Sequence, residues 1–131
     1  MTFAFDHPCG VCVCRELTQP SLATYGFKQW DMHTGWVRVQ LPPFQDGEVL
    51  VALSLAFNAG VLESITLTDA RPEFGANWGE WSEARERLRA ESIGTWLTSK
   101  GFPAGKYPWG VVGWGYDAKG GSGSAVVRYA T

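Results

Sequence analysis

A basic excess, long apolar runs and catalytic spacings are all missing from this chain. Eleven Lys and Arg stand against thirteen Asp and Glu, for a formal charge of -2 and a pI near 5.6. Such a balance gives no polybasic footprint, so no nucleic-acid partner is expected. No segment is apolar over the roughly 20 residues that a membrane span needs, so no membrane partner is expected either. The first eight residues, Met1 to Pro8, carry neither a basic stretch nor an apolar run of signal-peptide length, and the expected location is cytoplasmic. Three cysteines, Cys9, Cys12 and Cys14, are an odd and crowded set. That excludes an ordinary secreted disulfide framework and suits a reducing compartment. The run Gly120-Gly121-Ser122-Gly123-Ser124 lacks the Gly-Lys-Ser or Gly-Lys-Thr ending of a nucleotide loop, and no cofactor is expected.

Aromatic residues and glycine are plentiful: seven Trp and sixteen Gly in 131 residues. The densest stretch, Trp109 to Asp117, alternates rings with residues that let another backbone or a ligand come close. At 131 residues and 45% apolar content, the chain can bury one real core, and residues 1–131 are read as a single domain.

From Gly10 to Asp69 the apolar pattern has a period of two, as in half-buried strands. Residues 35–41 place Val37, Val39 and Leu41 on one face and Trp36, Arg38 and Gln40 on the other. After the breaks at Pro42-Pro43 and Asp46-Gly47, residues 49–57 predict a central strand. Asn58-Ala59-Gly60 then turns the chain into residues 61–67. Matching apolar faces favours a three-residue loop, with Leu53 opposite Ile65, Val51 opposite Leu67 and Glu63 opposite Leu55. The period changes to helical after Asn77: Trp81, Ala84, Leu88, Ile93, Trp96 and Leu97 fall on one stripe of an amphipathic helix over about 80–100. Ser82 or Asn77 can cap it, Lys100-Gly101 and Pro103 end it, and Gly94 is its weak point. Residues 111–116 and 125–129 close the chain as a β-hairpin. The expected class is α+β: an antiparallel meander, one helix packed on it and a C-terminal hairpin.

Few residues group into chemistry. His7, Cys9, Cys12 and Cys14 are soft or borderline ligands within eight residues, but a structural zinc site usually draws on two separated segments, with His33 the only other contributor. The plainer reading is a strand whose cysteines are small buried hydrophobes. A Cys nucleophile with His7 or His33 as base, oriented by Asp6 or Asp31, is a combination that three Cys and two His offer by chance. Asp31, Glu48, Glu63, Asp69, Glu73, Glu80 and Asp117 could supply a carboxylate pair for glycoside hydrolysis, yet no spacing selects two of them. Arg85, Arg87 and Arg89 on an acidic helix read as a solvated face that could meet an acidic partner.

The tryptophans divide. Trp81 and Trp96 are expected to pack on the sheet, whereas Trp109, in a loop leading into a strand, is expected at the surface with Trp30 and Trp36. The partner-binding candidates are Trp36, Trp109, Trp114, Tyr116 and Asp117. The last 50 or so residues, with Trp81-Ser82-Glu83, Trp109-Gly110, Tyr116-Asp117, Lys119-Gly120 and Arg128-Tyr129, give the chain a resemblance to the small single-domain immunity proteins that neutralise bacterial toxins. The resemblance implies a non-enzymatic inhibitor that covers a toxin's working surface with Trp and Tyr anchors and acidic groups, and that has no catalytic residues. Two other readings stand beside it: a carbohydrate- or small-ligand-binding domain with Trp109, Trp114 and Tyr116 as a platform, and a Cys/His metal-binding protein or enzyme. An exposed strand face leaves a homodimer open.

Overall fold

The computed structural model describes residues 2–130. Among the described residues, ten strands and one α-helix follow one another: β1 (Ala4–Asp6), β2 (Cys12–Cys14), β3 (Lys28–Asp31), β4 (Trp36–Gln40), β5 (Phe44–Asp46), β6 (Val49–Asn58), β7 (Val61–Asp69), α1 (Glu83–Ser99), β8 (Gly105–Tyr107), β9 (Gly110–Asp117) and β10 (Ser122–Tyr129). β1 and β2 form a small hairpin of their own. The main sheet is antiparallel in the order β3-β4-β6-β7-β10-β9-β8, with β5 also paired to β6. The last strand therefore inserts between β7 and β9 and joins the meander to the C-terminal hairpin. This is the expected α+β arrangement.

The sheet is two-sided in the way its alternation requires. Val39, Leu53, Leu55, Ile65, Leu67, Val112, Ala125 and Val127 are buried on one face, and α1 lies across that face over β10, β9, β7 and β6. Phe3, Val11, Val13 and Leu22 from the N-terminal segment complete the same core. The opposite face carries Arg38, Ser54, Thr66 and Thr68.

The β6–β7 turn differs from the expected register. Ala59 and Gly60, both at positive φ, form a two-residue loop between Asn58 and Val61, the mirror-image turn that matches strand twist. A bulge between Ala56 and Phe57 then leaves Glu63 without a partner and sets Leu55 opposite Ile65 and Leu53 opposite Leu67. The bulge does what a longer loop was expected to do, moving the strand by one residue so that the apolar faces meet.

Both candidate helix caps are used. Ser82 accepts a hydrogen bond from the Arg85 N–H at the start of α1, while Asn77 caps a separate turn of 3-10 helix at Trp78–Glu80. Trp81 therefore stands outside α1, and Leu88 is exposed. The buried face of α1 is Glu86, Ala90, Ile93, Gly94 and Leu97, joined by Trp96. It carries small residues at Ala90 and Gly94 because α1 comes very close to the sheet: a Cβ on Gly123 of β10 would overlap the Glu86 carbonyl, and a Cβ on Gly94 would enter the Trp114 ring. Gly94 is thus a seat for a side chain instead of a weak point.

Polar groups hold α1 in that position. Glu86 accepts a hydrogen bond from the Gly123 N–H at 3.1 Å and pairs with Arg89 at 3.1 Å. Arg89 donates to the carbonyls of Asp69, Phe74 and Gly75 at 2.6, 3.0 and 2.7 Å. It is mostly buried, so it is a clasp and not part of the solvated Arg85, Arg87, Arg89 face expected from the sequence. Asp69, fully buried, takes Arg71 Nη2 at 2.8 Å and the Ser92 hydroxyl at 2.6 Å. Burial pushes its pKa up, but the Arg71 and Ser92 hydrogen bonds outweigh this and hold the carboxyl below its ordinary value.

Two outcomes follow from this packing. Gly123→Ala is expected to lose about 3 kcal/mol or more, because the obstacle is backbone. Gly94→Ala gains about 1 kcal/mol of helix propensity and stays folded by expelling the half-exposed Trp114 ring; urea unfolding followed by tryptophan fluorescence separates the two. Since the folded Asp69 binds its proton less readily than the unfolded chain, its stabilisation is present above the ordinary carboxylate pKa and is lost as pH falls through the lowered one. Asp69→Asn should cost about 3 kcal/mol at neutral pH and flatten the acid limb of a stability–pH curve.

Candidate functional site

Two exposed aromatic groups emerge, on opposite faces of the sheet. On the open face, Trp30 of β3 lies opposite Arg38 in β4 and near Trp36, with Lys28 5.7 Å over the Trp30 ring. Trp30 and Trp36 remain 42% and 39% exposed. This group contains only Trp36 of the expected partner-binding set.

The second group lies where α1 begins and where β9 runs past the end of β8, which pairs with residues 110–112 alone. Trp114 and Tyr116 project from the same side of β9. Trp114 rests on Gly94 with its outer face open, at 44% exposure. The Arg87 guanidinium sits 4.9 Å over the Tyr116 ring and is paired with Glu83 at 2.8 Å. Trp81 Nε1 donates to the Gly121 carbonyl at 2.6 Å in the β9–β10 turn, and Trp78 flanks the same glycine at 79% exposure. A shallow depression of about 350 Å³ between Trp78, Trp81, Glu86 and Gly120–Ser122 ends the strip. Trp114, Tyr116, Trp81 and Trp78 thus form a row interleaved with charge. Asp117, expected to touch a partner, is exposed and also shapes the turn: its carboxylate accepts from the Lys119 N–H at 3.0 Å and its carbonyl from the Gly121 N–H at 2.7 Å.

Trp109 is not a surface anchor. It is 6% exposed, stacked on Tyr107 at 4.9 Å and packed against Phe3, Phe102 and Tyr129. α1 has already ended at this edge of the sheet, and large rings close the core where the helix does not reach. The loop position was a poor guide because the Pro108-Trp109 turn folds inward.

The cysteine cluster behaves as strand and loop residues. His7 is buried, donating from Nε2 to the Pro42 carbonyl at 2.9 Å and accepting the Cys9 N–H on Nδ1 at 3.0 Å, so both ring nitrogens are engaged. Burial lowers its pKa, against the Pro42 hydrogen bond. His33 is in the exposed β3–β4 turn. Among the described residues, no three His, Cys, Asp or Glu side chains are grouped to hold a metal ion. Cys9, Cys12 and Cys14 are free thiols, Cys12 exposed and the other two half-buried, so they are not the buried hydrophobes expected. The neighbouring Cys14, together with burial and the charge of Asp6, pushes the Cys12 thiol up to about 11.

Trp78 and Trp81 are the members of the strip that the sequence did not place at the surface, whereas Arg87 lies on the solvated helix face expected of it. The signal was present in one respect: with Ser82 as the cap, Trp81 precedes the helix and cannot share its stripe. Compared with known proteins, the chain matches no family model, no curated relative and no solved structure. No helix among the described residues is long and apolar enough to cross a membrane.

Cys12 should alkylate slowly near neutral pH despite its exposure. Iodoacetamide labelling read by mass spectrometry across pH should show Cys12 rising with a midpoint about 11, and Cys14→Ser should move that midpoint down.

Proposed function

We propose that this chain is a non-enzymatic protein-binding domain that acts by covering a partner's surface, in the manner of the small immunity proteins it resembles, with a toxin as the implied partner. The observation that carries the reading is Arg87 stacked on Tyr116 between Trp114 and Trp81. Trp, Tyr and Arg are the residues that dominate protein interfaces, and here they alternate over one strip. A sugar platform needs open ring faces, and the guanidinium covers that of Tyr116. The three free thiols fit a reducing compartment such as the cytoplasm. Steric blockade needs no catalytic group, and the strip offers rigid rings on a backbone held by α1.

The test uses the wild type beside a Trp78→Ala, Arg87→Ala variant. Both side chains are largely exposed, so thermal stability should hold within about 0.5 kcal/mol. A partner crosslinked to wild type and then purified should bind the variant at least about thirtyfold more weakly, near 2 kcal/mol for two interface anchors, and its own activity should fall on stoichiometric addition of wild type. Undiminished binding by the variant would remove the strip as the interface. Saturable binding of chitin or β-glucan oligosaccharides, unaffected by Arg87→Ala, would replace the reading with the carbohydrate one.

A further inference from the structure

A separate cavity of about 390 Å³ opens at the other end of α1, between the β1–β2 hairpin, β5 and the helix C-terminus. Its walls come from segments distant in sequence. Phe5, Phe44 and Trp96 meet with ring centroids 6.2 to 6.4 Å apart at steep or tilted angles, and Phe3 and Phe102 close the back. Phe5 and Phe44 are only partly buried and border the space. That volume and these walls are those of a small-molecule site, with rings giving apolar contact and a few polar groups giving orientation.

The polar groups set the charge that such a site accepts. Among the described residues, Asp46 and Asp6 line the cavity against one cation, Lys100. Asp46 Oδ2 accepts from Trp96 Nε1 at 2.9 Å and from Lys100 Nζ at 2.7 Å. The same ammonium lies 5.6 Å from the centre of the Trp96 ring. A carboxylate, an indole face and partly buried phenyl rings are the elements by which proteins hold organic ammonium ions. Here the position is filled by the chain's own side chain. Lys100 is the first residue after α1, about half exposed on a flexible stem, so it can swing into water without disturbing the helix. Asp46, held by the rigid Trp96 N–H, stays in place when the lysine leaves.

We infer that this cavity binds a small organic ammonium ion carrying an apolar, ring-sized body, with its charge between Asp46 and the Trp96 face where Lys100 Nζ now sits and its body against Phe5 and Phe44. Lys100 is then an internal competitor. A site filled by its own lysine in roughly nine of ten molecules binds about tenfold more weakly than the same site vacated.

The experiment titrates 2-phenylethylamine and phenylacetate, equal in body and opposite in charge, into wild type, Lys100→Met and Asp46→Asn near neutral pH. It follows the Trp96 indole N–H resonance and checks each variant's fold by circular dichroism. The amine should shift that resonance saturably in wild type, bind about tenfold more tightly to Lys100→Met and lose binding in Asp46→Asn, while phenylacetate has no effect. Preferential binding of phenylacetate that disappears in Lys100→Met would overturn the inference, since the lysine would then be the anchor. A Lys100→Met protein with no gain for the amine, or no saturable shift with either probe at millimolar concentration, would overturn it as well.

Discussion

The contact on which the other features rest is the direct seating of α1 on β10 at Gly123. Ordinary helix-on-sheet packing keeps the two backbones about 10 Å apart, because side chains fill the space between them. Here one residue has no side chain, and its N–H donates to Glu86 at 3.1 Å. A buried carboxylate on the inner face of a helix is costly alone, but this one is satisfied by a backbone donor and by Arg89, which also gathers three carbonyls from the end of β7 and the following turn. The helix is held at its N-terminal half by hydrogen bonds and at its C-terminal half by Ile93, Trp96 and Leu97. Two different kinds of interaction thus secure the ends of one element.

That close approach also decides what reaches the surface. With Gly94 against the sheet, the Trp114 ring has a flat floor on one side and water on the other. One strand step on, Tyr116 lies beneath Arg87, and one turn further Trp81 is tied to Gly121. None of these rings is free to rotate into the core, which is already filled by Ile65, Leu67 and Val127. The aromatic strip is therefore preorganised by packing, and a partner meeting it would pay little side-chain entropy to order it.

Much of this was legible in the chain. The alternation at Trp36 to Leu41, the pairing of β6 with β7 though not its turn or register, the C-terminal hairpin and a helix with Ser82 or Asn77 as its cap all followed from period and residue chemistry. What was not legible depended on distance between backbones. A bulge at Glu63 is invisible to pattern matching because either register satisfies alternation over a few residues. Leu88 fits an apolar stripe on a helical wheel, but the face of α1 that meets the sheet was chosen by the glycine contact and by Glu86, a residue that hydropathy places outside. Arg89 was read as solvated for the same reason. The cavity at Asp46 and Lys100 joins residues 3–8, 44–46 and 96–102, and no local spacing brings them together.

The abundance of aromatic residues has a geometric cause. Seven strands side by side span roughly 30 Å, and one helix with its side chains covers about 10 to 12 Å of that width. Most of the inner face must be closed by something else. The β1–β2 hairpin supplies part of the closure through Phe5 and Val13, and large rings dominate the rest: Phe3, Phe102, Trp109 and Tyr129 along one side, Phe5, Phe44 and Trp96 along another. Rings that meet edge to face leave gaps at the boundary of the sandwich, and the cavity beside Asp46 is such a gap. Two of the seven tryptophans, Trp96 and Trp109, are accounted for by this closure, while Trp30, Trp36, Trp78, Trp81 and Trp114 are not. The closure of the sheet leaves those five between 39 and 79% exposed, a surplus of aromatic surface that filling the core does not by itself require.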